Sequence, residues 1–124
     1  QESNTESGLT SGGVTGIIID GKGLGLRPAM SPRIVNQSGS VVYGPGQYSR
    51  DYAASNGVVG YAKSLEQAKA DPRVQGNPLV IRGSSVSGSS AADLVVSNVD
   101  AGKIARADGS AGFLGNCRVM FVLD

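Results

Sequence analysis

The sequence predicts an α+β domain, with a mixed or mainly antiparallel sheet of about five to six strands and two helices packed on one face. Three observations lead there. Two apolar runs of strand length, Gly16-Ile17-Ile18-Ile19 and Val119-Met120-Phe121-Val122-Leu123, lie towards opposite ends of the chain. Between them, Ala54, Val58, Tyr61, Leu65 and Ala68 recur at alternating spacings of four and three, the period of one helix face. Short β-branched segments punctuated by glycine fill much of the remainder.

The elements follow in order. Residues 1–13 are a polar, Gly/Ser-rich arm in which Leu9 is the one large apolar side chain. By composition it reads as a solvated leader. The expectation is an arm held by another copy of the chain, the alternative being one packed along its own domain. Residues 14–124 are expected to form a single α+β domain. Its first strand covers 14–20, where consecutive β-branched residues suit a strand covered on both faces. Gly21, Gly23 and Gly25 interrupt it, and Pro28 and Pro32 bracket an irregular extended loop.

Segments 33–36 and 40–43 read as a hairpin turning at Gln37-Ser38-Gly39, closed by Gly44-Pro45-Gly46. Ser49 is a fair N-cap, and Asp51 lies in the first turn, where the helix dipole favours a negative charge. Gly57 and Gly60 weaken that helix by about 1 kcal/mol each and allow a close approach to the sheet. Ser64-Leu65-Glu66-Gln67 has capping-box spacing, so the helix restarts there and ends at Asp71-Pro72. A strand covers 79–82 and extends towards Val86. After a turn at 87–90 comes a strand at 94–97. Ser97 opens a second helix with Ile104 and Ala107 facing inwards, stopped by a turn at Asp108-Gly109. Phe113 and Leu114 return to the core, and 118–123 is a final, central strand.

Composition excludes more than it names. The 124 residues contain no histidine or tryptophan, one cysteine and 19 glycines. Catalysis near neutral pH usually draws on histidine, on paired cysteines or on clustered carboxylates. The first two are missing, and the carboxylates are scattered over helix starts and turns. No catalytic residue, cofactor or metal is therefore expected. Charged residues make up 17% and the formal net charge is +1. No basic run interleaves with aromatics, which argues against nucleic acid. No apolar stretch approaches the roughly 18 residues of a membrane helix. Cys117 has no partner, so it reads as a buried, inert thiol. The chain begins at Gln1 rather than Met, as after removal of an export signal or in a cut fragment, and the Ser/Gly/Asn-rich composition favours export.

Candidate assembly or binding residues are Leu9, Asp20, Arg27, Met30, Arg33, Tyr43 and Tyr48. The Gly21-Lys22-Gly23-Leu24-Gly25 cluster follows a strand, as phosphate loops do, but Pro28 and Pro32 deny it the helix N-terminus that a phosphate cradle needs. Asp20, Arg27 and Arg33 flank it as a charged network, for structural pairing or for ligand capture. Tyr43, Tyr48, Tyr52 and Tyr61 bracket the first helix as core or interface anchors.

Thr15-Gly16-Ile17-Ile18-Ile19-Asp20, followed by Gly23-Leu24-Gly25-Leu26-Arg27-Pro28-Ala29-Met30-Ser31-Pro32-Arg33-Ile34, resembles a domain of exported bacterial proteins. That domain often follows a module similar to FlgP-type, flagellum-associated envelope lipoproteins. Val42-Tyr43-Gly44, Gly57-Val58-Val59-Gly60-Tyr61-Ala62, Gly76-Asn77-Pro78-Leu79-Val80 and Cys117-Arg118-Val119-Met120 support it, so the resemblance spans about 14–124. It implies an envelope or surface location and, for the flagellar relatives, rings or disks. It implies no catalytic residues. No FlgP-like module precedes the domain within this sequence, so a stand-alone subunit is expected.

Two functions compete. The first is a non-catalytic structural subunit that self-associates into an extracellular or envelope filament, tube or ring. The second is a monomeric envelope binding module, flagellum-associated or not, that recognises protein or glycan through loop 21–33. Periplasm or outer membrane is the alternative location.

Overall fold

The computed structural model describes residues 14–29, 32–44, 46–88 and 91–123; the arm with Leu9, and Met30, lie outside them. The described residues form β1 (Gly16–Asp20), β2 (Ile34–Asn36), β3 (Val41–Tyr43), α1 (Arg50–Asn56), β4 (Gly60–Ala62) and α2 (Leu65–Ala70). Then follow β5 (Pro78–Arg82), β6 (Ser85–Ser87), β7 (Asp93–Val96), α3 (Asn98–Ala111), a 3-10 turn at Leu114–Asn116, and β8 (Val119–Val122).

The α+β class holds, but the strands divide between two four-stranded sheets rather than one. The first has the order β4-β8-β1-β5 and is parallel throughout. The second, β3-β2-β7-β6, is mixed: β2 and β7 run parallel, and each carries an antiparallel edge strand. Gly83 makes the division. Its N–H donates to the Asp20 carbonyl at 2.9 Å, while the next residue, Ser84, donates to Val95 of the mixed sheet at 2.7 Å. A Cβ at position 83 would stand 3.1 Å from both Leu24 Cδ1 and Leu94 Cδ2, so the corner is tight. The strand expected to extend from 79 towards Val86 is thereby split into β5 and β6.

The long helix expected from 49 onwards is also divided. Ser49 caps α1 by accepting from Tyr52 N, and Ser64 caps α2 by accepting from Gln67 N. Between them the chain turns at Gly57, whose φ of 85° is open mainly to glycine, and enters β4. Val58 and Tyr61 therefore reach the core from a turn and a strand. The restart at Ser64 is correct, and Gln67 Oε1 accepts from Lys63 N at 2.8 Å. The third helix, α3, runs through Asp108-Gly109, where a turn was expected, and stops at the left-handed Gly112.

The helices do not share one face. The larger core joins both sheets through Ile17, Ile19, Phe121, Leu94, Val96 and Ile104, the last from α3. The opposite face of the parallel sheet packs Ile18, Met120 and Val122 against Ala68 of α2 and against Val74. Both faces of β1 and β8 are thus covered, which is why their sequences are unbroken apolar runs. Full burial of such side chains contributes roughly 1.5–3 kcal/mol each. As expected, β8 is interior to its sheet.

Candidate functional site

Of the charged residues anticipated around loop 21–33, Asp20 and Arg33 are engaged, but not with one another. Asp20, at the end of β1, pairs with Arg82 Nη1 at 3.3 Å and accepts from Lys22 N at 3.0 Å. Arg82 also donates to the Asp20 carbonyl at 3.1 Å. This clamp holds the corner where β5 leaves the parallel sheet. Arg33 grips Asp93 at the start of β7: Oδ1 accepts from the Arg33 backbone N–H at 2.9 Å, and Oδ2 from Nε at 3.2 Å and Nη2 at 2.9 Å. Arg27 donates its backbone N–H to Ala91 at 3.0 Å, and its exposed guanidinium has no partner among the described residues. Structural pairing thus accounts for Asp20 and Arg33.

Buried Tyr43 and half-buried Tyr61 fix loops in place. Tyr43 donates to the Val58 carbonyl at 2.6 Å and packs its ring 5.3 Å from that of Tyr48. Burial, reinforced by the neighbouring Cys117 thiol, raises the Tyr43 phenol well above its ordinary range. Tyr61 packs edge-on against Phe121. Its hydroxyl accepts from Ala29 N at 3.0 Å and donates to Ala29 O at 3.3 Å. Burial raises that phenol too, against the opposing effect of the Ala29 hydrogen bond. Tyr43 and Tyr48 are therefore core and loop anchors in this chain.

Arg73 gave no signal in the sequence. Nη1 donates to Gly57 O at 3.1 Å and Cys117 O at 2.9 Å, and Nη2 donates to Asn56 O. One guanidinium thus ties the end of α1 to the approach to β8. Beside it, Tyr52, Asn56, Asp71 and Pro72 line a shallow hollow of about 290 Å³. Among the described residues, no group of three or more acidic or cysteine side chains is placed to hold a metal ion.

A larger concavity, an open groove of about 530 Å³, lies between α3 and the β2–β3 hairpin. Val41 and Val42 of β3 form one wall; Ala101, Gly102, Ala105 and Gly109 of α3 form the other, and Leu114 also lines it. Asn98 accepts from Gln37 N at 3.1 Å and donates to Ser38 Oγ at 3.2 Å, tying the start of α3 to the hairpin tip. Further along α3, Asp108 Oδ1 accepts from Leu114 N at 2.9 Å. The helix wall is therefore fixed near both ends. It presents small side chains, and the opposite wall is the edge strand of the mixed sheet.

Among the described residues, three large aliphatic side chains are exposed: Val41, Val80 and Val99. Two of them occupy sheet edges, Val41 on β3 and Val80 on β5. No helix among the described residues is long and apolar enough to cross a membrane.

No curated protein matches the chain. A family model of the second domain of Treponema pallidum Tp0624 matches residues 16–124, from the first residue of β1 onwards. Nothing in that match extends to FlgP-like modules. The chain belongs to the bacterial domain family represented by the Tp0624 second domain.

Proposed function

We propose that this domain is a non-catalytic structural subunit that associates with copies of itself in an exported bacterial assembly. One observation carries the proposal: Val41 and Val80, at 41% and 40% exposure, sit on edge strands of different sheets. A bare sheet edge carries unpaired N–H and C=O groups, which template pairing with another chain. An apolar side chain beside such an edge adds area to bury. Charged residues are only 17% of the chain, so copies repel one another weakly. The location proposed is the cell surface or extracellular space, with the periplasm or outer membrane as the alternative. Neighbourhood to FlgP-like flagellar modules belongs to the same proposal and rests on the sequence resemblance.

Sedimentation velocity over a hundredfold range of concentration, followed by negative-stain imaging, tests this. Growth of discrete oligomers or polymers with concentration is expected. A monomer at every concentration contradicts it. A monomer favours instead a binding module that uses loop 21–33, where Arg27 offers a guanidinium without a partner among the described residues.

A further inference from the structure

We infer that the groove between β3 and α3 of one copy is the seat for residues 1–13 of another, laid along β3 as an added strand. This rests on the self-association proposed above and names the contact that produces it. Three features select the arm as occupant.

The first is reach. Val14, where the arm ends, packs against the larger core. Ile17 N donates to Arg118 O at 3.0 Å, and groove-lining Leu114 lies four residues before Arg118. That part of the groove is thus within about 15 Å of the same chain's Arg118, while thirteen extended residues span about 45 Å. An arm of that length is about three times that distance and can extend beyond its own domain.

The second is fit. An added strand donates to the edge from alternate residues, and residues 1–13 contain no proline to interrupt either register. Their side chains are mostly Ser, Thr, Asn and Gly, suited to a helix wall of Gly102, Ala105 and Gly109. The one large apolar residue of the arm, Leu9, matches the valine wall of Val41 and Val42.

The third is charge. The arm carries Glu2 and Glu6 and no Lys or Arg. Arg106 Nη1 lies 3.5 Å from where a Cβ on groove-lining Gly102 would stand. Arg106 is exposed and has no hydrogen bond or ion pair among the described residues. Its neighbour Lys103 is paired with Asp100 at 3.7 Å. Asp108, the acidic residue lining the groove, has Oδ1 occupied by Leu114 N.

The test uses full-length chains of two different masses. One carries Ser7→Cys or Thr10→Cys in the arm and the other Val41→Cys in the groove; native Cys117 is fully buried. Mild oxidation is expected to join the two masses. Arg106→Glu on the groove partner is expected to lower the cross-linked yield at least tenfold, and Glu2→Arg with Glu6→Arg on the arm partner to restore it. Val41 and Arg106 are exposed, so these changes leave the core intact. Oligomers by sedimentation without the cross-link overturn the seat while sparing self-association. A persistent monomer overturns both. With both cysteines on one chain, a link that forms only within that chain overturns the exchange between copies.

Discussion

The two sheets of this domain are built to opposite ends. In the parallel sheet, every residue of β8 and four of the five in β1 are buried, because one face meets the mixed sheet and the other meets α2. In the mixed sheet the outer strands are short and wet: β3 runs from an exposed Val41 to a buried Tyr43, and no residue of β6 is fully buried. Stability is therefore concentrated in the inner strands of the parallel sheet, and surface available for contact at outer strands, β3 of the mixed sheet and β5 of the parallel one, where Val80 is exposed. The Gly83 corner connects the two regions, while the Arg33–Asp93 clamp ties β2 to β7 within the mixed sheet.

Substitutions should separate the regions by size of effect. Phe121→Ala, at the centre of the shared core, should lower the free energy of unfolding by about 3–5 kcal/mol in denaturant titrations. Tyr43→Phe should lose about 1–3 kcal/mol, because the buried Val58 carbonyl is left without its donor. It should also flatten the alkaline limb of stability. The Tyr43 phenol is raised in the fold, so its contribution is complete below the ordinary tyrosine pKa of about 10 and declines as pH rises beyond it, when the unfolded chain ionises first. A stability curve equally steep above pH 10 in wild type and Tyr43→Phe would count against that origin.

Asp93→Ala should lose about 1–2 kcal/mol, since three donors of one half-exposed arginine lose their acceptor. Ser97→Ala removes the cap that accepts from Asp100 N and should lower stability by about 1 kcal/mol. Val80→Lys should change stability by less than about 0.5 kcal/mol, because the site is an exposed edge. Light scattering should nevertheless show it weakening association.

The same contrast decides what could be read from the residues alone. Ile17-Ile18-Ile19 and the run from Val119 to Leu123 announced the covered sheet, since burial on both faces leaves no polar alternation to confuse. The caps at Ser49, Ser64 and Ser97 were legible because each acts within three residues of itself. The stripe from Ala54 to Ala68 misled: Ala54 is exposed on α1, and Val58, Tyr61, Leu65 and Ala68 reach the two cores from a turn, a strand and a second helix that happen to fall at helical spacing. Asp108-Gly109 looked like a turn, yet the helix runs on to its left-handed stop at Gly112. Partition into two sheets depends on Gly83, a single corner with no local signature. The groove was illegible for the same reason: its walls, β3 and α3, lie more than fifty residues apart in the chain. Asp20 and Arg33 read as one charged network around loop 21–33, whereas their partners, Arg82 and Asp93, lie some sixty residues away and gave no local signal.

The central claim is that sheet edges of this domain hold copies of it together. Sedimentation velocity of the full chain beside the Val41→Lys, Val80→Lys double variant tests it most directly. Wild type is expected to sediment faster as concentration rises, and the folded double variant to remain a monomer throughout. Identical behaviour of the two, whether both assemble or both stay single, contradicts the account.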